Sequence, residues 1–210
     1  MNYQTERSVR LKPTTGKNMS KKQAIIEAAT RLFSQKGFEN TSMSELAKLS
    51  GIAQGTIFYH FKNKEELFIS ILEEFKAGII DNFDRYIGER QFESGMEMIE
   101  DVVSFYLYLA GSMEDWFILL YRHEAYEFAR VNSVCRESLE AIYNCLADIF
   151  EQAILRGKKD GSIADVPVRK TALILFAMID GIIRFNLYEL YNAGTLYKDV
   201  IGACRKILTK

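Results

Sequence analysis

The sequence predicts an all-α protein: a three-helix, helix-turn-helix head followed by a helical bundle. Three observations carry this. Apolar residues recur at i, i+3, i+4 and i+7 spacing in block after block, no stretch alternates apolar and polar as a strand would, and two prolines interrupt 210 residues. A hydrophobic fraction of 48% suffices to bury a core, which argues against disorder. The longest apolar stretches, such as Leu173–Met178 and Ile182–Ile183, are broken by Asp180, Gly181 and Arg184, well short of the ~20 residues that cross a bilayer. No basic-then-apolar leader opens the chain, so the expected location is the cytoplasm, with no membrane partner.

The expected domains are a flexible basic tail over 1–19, a head over 20–66 and a body over 67–210. The tail carries Arg7, Arg10, Lys12 and Lys17 without an apolar period. From Ser20, Ile25, Ala28, Ala29, Leu32 and Phe33 trace one helix face, and Gly37 supplies a stop. Ser42-Met43-Ser44-Glu45 has the form of a capping box, opening a short helix over about 44–50 that turns Leu46 inward. Gly51 allows the positive φ of a tight turn, and a third helix from near Ala53 places Ile57 and Phe61 on its buried side. Two short helices joined by such a turn predict a helix-turn-helix.

Lys64 to about Tyr86 reads as one long helix of about 30 Å, striped by Leu67, Ile71, Phe75 and Ile79. Further helices are expected near 94–110, 113–130, 133–156, 167–191 and 195–208. Cys135, Cys145 and Cys204 have no CxxC spacing. If Cys135 and Cys145 share a helix, about 15 Å separates them, so reduced thiols are expected. Two histidines, His60 and His123, predict no metal site and no cofactor.

Charge is divided unequally. Residues 1–70 hold 11 Lys and Arg against 6 Asp and Glu, a balance of +5, leaving 16 against 22, or −6, for residues 71–210. The basic end is the candidate for nucleic acid. The second helix of a helix-turn-helix offers its first turn to base edges in the major groove, where short polar side chains or bare backbone approach closely. Gln54, Gly55 and Thr56 occupy that turn. Gln54 matches the two major-groove groups of adenine, Gly55 lets the main chain come near, and Thr56 suits a thymine or a phosphate. Ser42 and Ser44 can offer donors to a phosphate at the start of the preceding helix.

The string Gly37-Phe38-Glu39-Asn40-Thr41-Ser42-Met43-Ser44-Glu45-Leu46-Ala47, then Ser50-Gly51-Ile52-Ala53-Gln54-Gly55-Thr56-Ile57-Phe58-Tyr59-His60-Phe61-Lys62-Asn63-Lys64-Glu65-Glu66-Leu67, resembles the amino-terminal signature of the TetR family over about fifty residues. The resemblance implies phosphate contacts from Tyr59, His60, Lys62 and Lys64, which position the head without specifying sequence. Two positions depart from the family pattern. Phe58 stands where a tyrosine is common, and Ala53 where a capping Ser or Thr is usual. Tyr59 either supplies the missing hydroxyl from the next position or packs the head, as Phe58 and Phe61 are expected to do. Met19-Ser20-Lys21-Lys22 looks like an ordinary start for such a protein, and the arginines before it either enter a minor groove or stay free.

The resemblance further implies that the helices near 167–191 and 195–208 pair with their copies in a homodimer, which calls for double-stranded DNA with an inverted-repeat operator. Asp180 and Arg184, one turn apart, pair either across that interface or within their helix. Tyr106, Trp116, Tyr121 and His123 are candidates for an effector pocket. Their setting suits a small, largely apolar ligand with one polar handle, such as a fatty acid, an acyl thioester or an aromatic compound. The expected function is a repressor that such a ligand releases, with a DNA-binding protein lacking any effector as the alternative. An enzyme is the contrasting class and is not expected. No nucleophile with its base, phosphate loop or carboxylate pair stands at a workable spacing.

Overall fold

A computed structural model describes residues 20–88 and 90–209, which hold ten helices and no strand. Expectations for the tail, residues 1–19, lie outside the described residues. Helix α1, Lys21–Lys36, opens where the Ser20 hydroxyl accepts the Gln23 amide at 3.1 Å and closes on Gly37, whose amide returns to the Phe33 carbonyl. Helix α2, Met43–Ser50, begins with the full capping box: Ser42 Oγ accepts from the Glu45 amide, and the Ser42 amide donates to the Glu45 carboxylate. Gly51, at φ +67°, makes the left-handed turn into α3, Gln54–His60, which starts at Ala53 with no side-chain cap. Leu46, Ile57 and Phe61 are buried and lock the three helices together.

Helix α4, Lys64–Gly88, starts under a second local cap, in which Asn63 Oδ1 accepts the Glu66 amide and Glu66 accepts the Lys62 amide, both at 2.8 Å. Its buried stripe of Leu67, Ile71, Phe75, Ile79 and Phe83 runs from the head into the body. The body continues with α5, Gly95–Ser112, α6, Glu114–Tyr121, α7, His123–Val131, and α8, Ser133–Asp160. It ends with α9, Val168–Leu187, and α10, Ala193–Leu208. Helices α5 and α8 cross at two glycines. A Cβ added to Gly95 would stand 2.0 Å from the Gly157 nitrogen, so only glycine permits this approach. Gly157 therefore lies inside α8, which runs past the expected end at 156 and stops at Gly161, φ +81°.

Two further boundaries differ from the sequence expectation. The helix expected over 113–130 is two helices, broken at Arg122, which is extended at φ −67° and ψ 141°. Arg122 turns toward the head, where its Nε donates to the Ser34 carbonyl at 2.9 Å and its other nitrogen to the Gln35 carbonyl at 3.1 Å. A cation on the last carbonyls of α1 is well placed against that helix's dipole. Helix α9 ends at Leu187, not 191, and a loop with Glu189 at φ +54° leads to α10.

Head and body share one continuous core. Phe38 and Phe68 meet Phe128 of α7 at 5.8 Å each, the first stacked at 15° and the second edge-on. Ser34 of α1 donates to Asp115 of α6 at 2.6 Å. Cys135 and Cys204 are buried free thiols, each pushed up to about 11 by burial. No described helix is long and apolar enough to cross a membrane.

Candidate nucleic-acid interface and effector site

The outer face of α3 is a stripe of Gln54, Gly55, Phe58 and Tyr59, which are exposed and spaced three and four residues apart. Thr56 lies at its flank, partly covered. No heavy atom stands within 4 Å of a Cβ built on Gly55, so backbone can approach a partner there. The sequence expectation for Phe58 is corrected: it does not pack the head but is 45% exposed, while Phe61 is buried. The helix turns by ~100° per residue, which carries Phe58 away from the Ile57 and Phe61 side. Tyr59, at 84% exposed, does not pack the head either, and its edge meets the His60 ring at 5.2 Å.

Of the polar residues flanking this stripe, Lys62 and Ser44 are exposed and His60 is partly covered. Ser42 already serves the capping box of α2. Lys64 is engaged as well: its ammonium donates to the carbonyls of Phe38 at 2.6 Å, Thr41 at 3.2 Å and Glu39 at 3.4 Å, and lies 4.4 Å from the Phe38 ring centre. It ties the α1–α2 loop to the start of α4. Sequence reasoning missed this role, since the carbonyls lie more than twenty residues away along the chain.

In the body, the four pocket candidates do not gather round one cavity. Tyr106 and Tyr121 are buried, and both hydroxyls donate to Asp180 Oδ1, at 2.8 and 2.5 Å. Burial, then the neighbouring tyrosine or carboxylate, holds both phenols well above their ordinary pKa, so they remain neutral donors. Trp116 stacks on Phe75 at 5.8 Å. His123 has a side chain 80% exposed and sits 3.7 Å from Glu127, one turn on, so it lies on the surface and not inside the bundle. Asp180 pairs within its helix, accepting Arg184 Nε at 3.3 Å, and Arg184 also reaches the Tyr126 hydroxyl, which bonds Tyr143. The network joins α5 to α9. Its sequence signals were the Asp180–Arg184 spacing and the need of buried tyrosine hydroxyls for partners.

A cavity of about 990 Å³ opens between α5, α9 and the start of α10. Leu107, Ala110, Ile183 and Leu187 give it apolar walls, with Tyr197 and Lys198 on the α10 side. None of the four sequence candidates lines it. On the outside of α9, Leu173, Ile174 and Phe185 are exposed, as are Tyr188 just past its end and Leu155 of α8. Val200, Cys204 and Leu208 of α10 are buried, while Ile207 is exposed beside Lys198, Asp199, Arg205 and Lys206.

A turn-linked helix pair with its second helix uncovered is the architecture of a helix-turn-helix DNA-binding protein. Residues 25–71 match the profile of the bacterial regulatory proteins of the tetR family. The chain is 27% identical over 157 residues to the fatty acid metabolism regulator protein of Bacillus subtilis, covering 74% of this chain and 78% of that one. Two solved structures share the fold. The transcriptional regulator FadR of Bacillus subtilis, in complex with stearoyl-CoA, superposes with a TM-score of 0.73 at 23% identity, over 88% of this chain and 98% of that one. A putative regulator from Saccharomonospora viridis, in complex with choline, gives 0.76 at 21% identity, over 90% and 97%. Residues 25–71 thus carry the amino-terminal domain of the tetR family of bacterial regulatory proteins, and the chain shares the fold of these two regulators.

Proposed function

We propose that this regulator is a cytoplasmic homodimeric repressor that holds an inverted-repeat operator and leaves it when an amphipathic ligand occupies the body. The observation that carries the DNA-binding reading is the uncovered stripe on α3, where Gln54 and Gly55 are exposed and, among the described residues, nothing stands within 4 Å of a Cβ built on Gly55. In this reading Gln54, Gly55 and Thr56 meet base edges, while Ser44, Tyr59, His60 and Lys62 meet phosphates. The head over 20–66 and the body over 67–210 are the two working units, joined by α4.

The exposed apolar side chains of α9, with Ile207 of α10 and Leu155 of α8, support pairing through α9 and α10 as expected from sequence, with α8 beside them. The cavity beside α9 supports a ligand of fatty-acid or acyl-thioester kind, because its walls are apolar and its α10 side is polar. A ligand there bears on Ile183 and Leu187, which share α9 with Asp180. Asp180 holds Tyr121, and the next residue, Arg122, holds the end of α1. A shift of α9 thereby reaches the heads and changes their separation. Differential affinity of the ligand for the two arrangements supplies the shift.

The test selects an operator from random duplexes with the full chain. Stearoyl-CoA, palmitate, an aromatic acid and choline are then added separately, reading both melting temperature and operator affinity. The expected result is an inverted repeat, with the acyl compounds raising the melting temperature and weakening the complex. An operator that none of the four weakens would count against the effector reading alone.

A further inference from the structure

We propose that Phe58 reads operator sequence, seating its ring against the C5-methyl group of a thymine in the major groove beside the base that Gln54 meets. This rests on the DNA-binding reading above and adds a determinant to it. Phe58 is 45% exposed, and among the described residues no other aromatic ring packs against it. It lies four residues after Gln54 and three after Gly55, on the same outward face. Helical side chains lean toward the helix N-terminus, so the ring tilts over Gly55, which has no side chain and no neighbour within 4 Å of where a Cβ would stand.

The chemistry then narrows the partner. A phenylalanine ring has no hydroxyl for a phosphate, and Tyr59 at its side already brings one. Every base edge in the major groove is polar except one, the thymine methyl. An apolar ring on the groove-facing side of α3 gains most by covering that group. Gln54, which suits adenine N6 and N7, and Phe58 together describe a short A/T-containing step within each half-site.

The experiment replaces each thymine of the selected operator, one at a time, by deoxyuridine, which removes the methyl and keeps the pairing. Wild-type protein, Phe58→Ala and Phe58→Tyr are compared on every duplex. For the wild type, one thymine per half-site is expected to cost about fourfold in affinity, the change that corresponds to ~0.8 kcal/mol for one methyl-sized group. Changing both copies is expected to cost about fifteenfold. Phe58→Ala should bind the thymine and deoxyuridine duplexes equally at that position. Phe58→Tyr, which keeps the ring, should retain the difference. Methyl costs that persist unchanged in Phe58→Ala, or that are absent in the wild type, would overturn the inference. A wild type that enriches no sequence at all would remove the DNA-reading proposal and this inference together.

Discussion

On α3, the side chains of Gln54 and Tyr59 are exposed, and among the described residues neither has a hydrogen-bond partner. In the body, Tyr106, Tyr121, Asp180 and Arg184 satisfy one another under cover, and no buried side-chain nitrogen or oxygen among the described residues lacks a partner. The contrast separates two kinds of polar residue. Those left open on a rigid helix are free to serve another molecule, as proposed for α3, and those closed into a network fix the chain's own packing. Substitutions should therefore sort cleanly, the first set changing DNA binding at constant stability and the second changing stability.

The largest expected effect is in the network. Asp180→Ala leaves two buried hydroxyls without their acceptor and Arg184 without its carboxylate. About 3–5 kcal/mol of unfolding free energy should be lost in urea titrations. A loss below about 1 kcal/mol would show that the network is dispensable. Next comes Lys64→Ala, which frees three carbonyls and should cost roughly 1.5–3 kcal/mol of stability. If instead stability is unchanged while binding to every duplex weakens, Lys64 belongs with the phosphate contacts and the sorting fails there. Gln54→Ala should leave the melting temperature alone and lose about 1–3 kcal/mol at the operator, with base preference relaxed at one position.

The smallest effect is in acid. Glu45 of the head is held below its ordinary carboxylate value by Lys36 and by Ser42, and Asp160 of the body by Ser162 and by the Gly95 amide. A depressed carboxyl stabilises the fold above its unfolded pKa, and that contribution disappears as pH falls through the folded value. Glu45→Gln and Asp160→Asn should each flatten part of the acid limb of a stability-against-pH curve. Identical acid limbs in wild type and both variants would assign acid sensitivity elsewhere.

How far the sequence showed these features depends on how local their causes are. Ser42 with Glu45, Gly51, and Ile57 with Phe61 act within a few residues, so α1, α2 and α3 and the turn between the last two were legible. The break at Arg122 was not. Its cause is the pair of carbonyls at Ser34 and Gln35, nearly ninety residues away in sequence. The cavity beside α9 and the shared Asp180 acceptor likewise arise from helices distant in sequence. Phe58 failed for a different reason. Apolar residues are read as core by default, and that rule errs where the helix turns one of them outward, as it does Phe58.

Residues 114–131 contain neither glycine nor proline, so nothing in their own chemistry demands two helices. The bend belongs to the docked head as much as to the body, like a bow kept curved by its string. A head that pulled away from Arg122 would leave the segment free to close into one continuous rod. Undocking should thus register as a gain of helix in a protein whose described residues are already mostly helical.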